Sequence, residues 1–145
     1  MYHYDGSILS SSKRIALDGV EMRFVNNAMK NARELIRFWK GKHIACGAGN
    51  HFRILAERRD TITAMTAIDT RIRGLADQIK WVAPSSGMKR KTVSVARADE
   101  ILELCVLILK EHDRHCGALL RSPKVLVSHT RELIEVARAA IKLVS

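Results

Sequence analysis

Apolar residues recur at three- and four-residue steps along most of this chain, and the four stretches where they do so predict four helices. The first runs from Ile15 to Lys40, with Val20, Phe24, Val25, Ala28, Ala32, Leu35, Ile36 and Trp39 on one face and Gly41 as its stop. The second runs from His51 to Trp81, with Phe52, Leu55, Ile62, Met65, Ile68, Ile72, Leu75, Ile79 and Val82 as its stripe. Arg58 and Arg59 interrupt that stripe and predict a kink or break near Asp60. The third runs from Ser94 to His115. Leu102, Leu104, Val106, Leu107 and Leu109 make its middle apolar almost all round, which places it centrally or beneath a partner. The fourth starts at Pro123 or Val125, ends at Val144, and carries Leu126, Leu133, Val136, Ala137, Ala140 and Ile141.

The stretches between them are rich in helix breakers. Residues 41–51 hold three glycines, and residues 83–92 hold Pro84, Gly87 and the run Lys89, Arg90, Lys91, which reads as a flexible connection. Residues 1–13 read as a loose polar tail. The expected fold is all-α: an antiparallel, up-down four-helix bundle over residues 14–145, with one helix kinked or broken.

Composition supports a packed core without staples. The 145 residues are 47% hydrophobic and 28% charged, with only two prolines. Three cysteines at irregular spacing make no disulfide framework and suit a reducing, cytoplasmic interior. No run reaches the ~18 apolar residues that a membrane span needs, so no membrane partner is expected.

Charge adds a direction to the reading. The net charge is +10, and its distribution is uneven: residues 1–97 carry 18 basic and 8 acidic side chains, residues 98–145 seven of each. Such asymmetry points to a polyanionic partner, because Lys and Arg neutralise phosphates and release counterions. Lys40, Lys42, Arg53, Arg58 and Arg59 are candidates at one end of the first helix pair. Arg71, Arg73, Lys80, Lys89, Arg90, Lys91 and Arg97 are candidates at the other. A merely solvated face is the competing reading. Trp39 and Trp81 flank the clusters and have stacking potential, but each ends an apolar stripe and is expected to close the core.

A second constellation holds potential metal ligands. His43, Cys46 and His51 lie in the first connection, and His112, His115 and Cys116 at the end of the third helix. An up-down bundle puts both at one pole, where Cys and His would suit zinc, although the spacing matches no standard finger or ribbon. Separately, Arg37 and His43 form an R-x5-H spacing that resembles the R-x4-6-H motif of the helical HEPN ribonucleases, over those two residues alone. In that family the pair sits beside a helical dimer groove, whereas here Gly41 intervenes. No phosphate-binding loop, dinucleotide fingerprint or nucleophile elbow occurs.

The function expected from these residues is a non-enzymatic, basic helical subunit. It would contact the phosphate backbone of RNA or DNA within a larger assembly of protein subunits, with no cofactor beyond the zinc considered above. A helical adaptor docking an acidic protein is the first alternative. A metal-dependent or HEPN-like nuclease is the second.

Overall fold

The computed structural model describes the backbone of residues 14–16, 20–41, 51–77, 80–82 and 90–144, and the side chains of 23–41, 52–77 and 95–143. Four long helices dominate it: α1 (Val20–Lys40), α2 (His51–Ala76), α3 (Val95–His115) and α4 (Lys124–Val144). A 3-10 turn, Cys116–Ala118, leads out of α3. The carbonyl of Pro123 accepts the first hydrogen bond of α4, from the N–H of Val127 at 3.0 Å.

The helices form the expected antiparallel bundle. Arg58, near the start of α2, reaches the last carbonyls of α1, so these two run in opposite directions. Arg131 and Arg138 of α4 pair with Asp113 and Glu103 of α3, again in reverse order. Trp39 and His112 bring the C-terminal ends of α1 and α3 to one pole. The core is one cluster. From α1 it takes Val25, Ala28, Ala32, Leu35 and Trp39; from α4, Val127, Leu133, Ala137 and Ile141. The centre is α3, which buries Val95, Ala98, Ile101, Leu102, Leu104, Cys105, Ile108, Leu109 and His112. Its nearly all-round apolar middle is thus explained by neighbours on several sides.

Three corrections concern the helix ends and α2. Ile15 and Ala16, expected to begin the first helix, belong instead to a strand, β1 (Arg14–Ala16). Lys80–Val82 is a second strand, β2, and Arg90–Ser94 a third, β3. They form a small antiparallel sheet in the order β1-β3-β2, pairing Ile15 with Val93 and Trp81 with Lys91. Residues 90–92, expected in a flexible connection, therefore belong to a sheet at the pole where α1 and α3 begin. Strands of three to five residues carry too few positions for a two-residue period to be told from the end of a helical stripe. The aromatic and β-branched residues Trp81, Val82, Thr92 and Val93 were the available signal.

The third correction is that α2 runs unbroken through Arg58, Arg59 and Asp60. Its buried face is sparse and partly polar: Thr61, Met65, Asp69 and Ile72. The buried Thr61 hydroxyl donates to the Glu57 carbonyl at 2.7 Å, so a polar residue continues the stripe without an unpaired group. Phe52, expected on that stripe, is 86% exposed. The tail, residues 1–13, lies outside the described residues.

Candidate functional site

Cationic side chains of α1 and α2 gather in a groove along their seam. Arg33, Arg37 and Lys40 lie four and three residues apart on α1, one helical face. Thr66, Asp69, Thr70 and Arg73 form the matching face of α2. Together with the buried Ile36 they enclose a groove of about 200 Å³. Four cations and one carboxylate line it.

The carboxylate organises the site. Asp69 is buried, its side chain 10% exposed. Arg33 Nε donates to its Oδ1 at 3.1 Å, which joins the two helices. Arg73 Nε lies 3.0 Å from its Oδ2, within α2. Arg37 pairs with Glu34 along α1, an exposed pair with little energetic weight. Lys40 is exposed and has no ion pair among the described residues.

The remaining basic candidates divide. Arg58 is a capping residue. Its Nε donates to the Trp39 carbonyl at 2.8 Å, and its Nη2 to those of Lys40 at 2.7 Å and Gly41 at 2.5 Å. These are end-of-helix carbonyls that α1 cannot satisfy itself, so a cation at this C-terminus also opposes the helix dipole. Arg53 sits 3.8 Å from Glu57, and Arg59 and Arg71 are exposed. Arg97 lies 4.0 Å from Glu100 on the first turns of α3. Lys80, Arg90 and Lys91 fall on paired strands: Lys80 is opposite Thr92, Lys91 opposite Trp81 and Arg90 opposite Val82. Lys42 and Lys89 lie outside the described residues. Among the described side chains, Lys40, Arg53, Arg58 and Arg59 lie toward the pole where α1 ends and α2 begins, and Arg71, Arg73 and Arg97 toward the opposite one.

Arg33 was missed as a site residue by sequence reasoning, and Asp69 with it. The available signal was the pair of matching i, i+4, i+7 series on α1 and α2. It is visible only once the two helices are set antiparallel.

The other grooves differ in character. The one between α3 and α4, about 260 Å³, is lined by Val106, Leu109, Lys110, Asp113, Arg131, Ile134, Glu135 and Arg138. There arginines meet acids in pairs, in line with the zero net charge of residues 98–145.

Of the potential metal ligands, His112, His115 and Cys116 have described side chains. No group of three or more metal-binding side chains occurs among the described residues. His112 is buried, and its Nδ1 accepts the indole N–H of Trp39 at 3.1 Å. An indole only donates, so Nδ1 is bare and the neutral ring carries its proton on Nε2. That removes His112 from the zinc set. Burial holds its pKa below the usual 6.5, partly opposed by Asp113 and reinforced by Arg131. His115 Nε2 lies 4.0 Å from Glu111, and the exposed Cys116 thiol approaches the Asp113 carbonyl at 3.6 Å. His43 and Cys46 lie outside the described residues, as does the side chain of His51. Trp39 is fully buried, which makes it a core residue and no stacking platform.

No helix among the described residues is long and apolar enough to cross a membrane. Compared with protein-family models, with curated proteins and with solved structures, the chain matches none of them.

Proposed function

We propose that this protein is a non-enzymatic, basic helical subunit that contacts nucleic-acid phosphate backbone within a larger assembly. The observation that carries the reading is the α1–α2 groove, where Arg33, Arg37, Lys40 and Arg73 surround a single buried carboxylate. Guanidinium and ammonium groups gathered in one concavity suit phosphate oxygens, and Arg does so in a fixed fork geometry. The basic excess of residues 1–97 supplies the long-range attraction that such a contact needs. The neutral α3–α4 half is the side available to other protein subunits. This contact reads phosphate and carries no base sequence, so RNA and DNA are both accommodated.

The test is binding of a labelled single-stranded RNA and a labelled DNA duplex at low and moderate salt. Affinity that falls steeply with salt supports the reading. Absence of binding at low salt contradicts it and favours an acidic protein as the docking partner.

A further inference from the structure

We infer that Asp69 holds Arg33 and Arg73 as a two-guanidinium fork for one phosphate group of the bound backbone, an inference that rests on the function proposed above. Each arginine approaches a different oxygen of the carboxylate through Nε, at 3.1 Å and 3.0 Å. A guanidinium has five N–H donors, and only one lies on Nε. Among the described residues, the hydrogen bond of Arg33 to Asp69 runs through Nε, and the closest approach of Arg73 to the carboxylate is also through Nε. The carboxylate therefore fixes the two planes from beneath and leaves their outer edges for a ligand.

A purely structural role needs only one of these contacts. Arg33 already joins α1 to α2 through Asp69. Arg73 stands on the same helix as Asp69, four residues on, and adds no link between elements. Its effect is to bring a second guanidinium, 68% exposed, to the rim of the groove. Lys40 stands on the same rim. A free surface arginine loses rotamer freedom on binding, whereas these two have it already restrained. A phosphodiester offers two non-bridging oxygens, which matches two forks. Asp69 is a positioning residue here and does not touch the ligand.

Charge-conserving substitutions separate a fork from diffuse attraction. The probes are a labelled single-stranded RNA and a labelled DNA duplex, with the fold of each variant checked by circular dichroism. Arg73→Lys and Arg33→Lys keep the charge and lose the fork, so affinity for both probes should fall about tenfold. Asp69→Asn adds net positive charge, so diffuse attraction alone predicts tighter binding; the fork predicts weaker binding. Arg121→Lys, on the α3–α4 connection, should leave affinity unchanged. Arg73 is exposed and outside the core, so its variant remains decisive if Arg33→Lys fails to fold. Failure of the wild-type protein to bind either probe would overturn the proposed function and this inference together. Salt-dependent wild-type binding that Arg73→Lys and Asp69→Asn leave equal or tighter would overturn the fork and leave the backbone reading standing.

Discussion

Trp39 and His112 meet edge to face inside the core, with ring centroids 5.9 Å apart and the indole N–H donating to Nδ1 at 3.1 Å. The contact ties the C-terminal ends of α1 and α3, two helices joined in sequence only through the whole of α2. It also holds the last turn of α1, on which Lys40 stands, at a fixed place beside α2. Trp39→Phe removes the donor and part of the buried volume. It should cost about 2–4 kcal/mol, the sum of an unpaired buried acceptor and a small cavity. Denaturant unfolding measures it.

The same pair makes stability depend on pH. The folded state holds the His112 pKa below its unfolded value of 6.5, chiefly by burial, so the unfolded chain binds more protons in the window just below 6.5. The contribution is fully present above that value and is lost as pH falls through the window. The melting temperature should therefore drop between about pH 7 and about pH 5. His112→Asn keeps an acceptor near the Nδ1 position and cannot titrate, so its melting profile should be flatter over the same range.

Arg58 and Arg59 are sequence neighbours with different work. Arg58→Ala strips three carbonyls at the end of α1 of their donor and should cost about 1–3 kcal/mol. Arg59→Ala touches an exposed position and should change stability by no more than about 0.5 kcal/mol. If Arg59 contacts phosphate, its loss lowers polyanion affinity and Arg58→Ala measured on folded protein does not. Thermal melts and binding titrations of the two variants, read side by side, check this.

The cysteines differ in the same way. Burial pushes the Cys105 thiol up to about 12, partly opposed by Arg33 and reinforced by Asp69, whereas Cys116 is exposed. A thiolate is the reactive form, so Cys116 should be alkylated in the native protein and Cys105 only on unfolding. Peptide mapping by mass spectrometry after timed alkylation distinguishes them.

The helices were legible because their apolar steps are long and regular. The α4 stripe ends at Val144 in both readings, and α3 begins within a residue of where its pattern does. The strands were not legible: Arg14–Ala16 continues the periodicity of α1, and Lys80–Val82 that of α2. Their pairing with Arg90–Ser94 is a long-range fact that no local pattern records. Arg58 misled for a related reason. A charge inside an apolar stripe suggests a break until its partner, the end of another helix, is known. The candidate site was legible as a charge excess in the first 97 residues. Its focus was not, because the groove depends on which faces of α1 and α2 oppose, and its organiser is an acid.

The central claim is that the cations of the α1–α2 groove contact phosphate. The most direct measurement is the slope of log affinity against log salt for a single-stranded RNA, comparing wild type with the double variant Lys40→Ala, Arg73→Ala. On a single strand each phosphate contact removed should lower the slope by about 0.7, so the double variant should show a slope smaller by about 1.4. An unchanged slope and affinity in a folded double variant would contradict the account and place the basic excess elsewhere on the molecule.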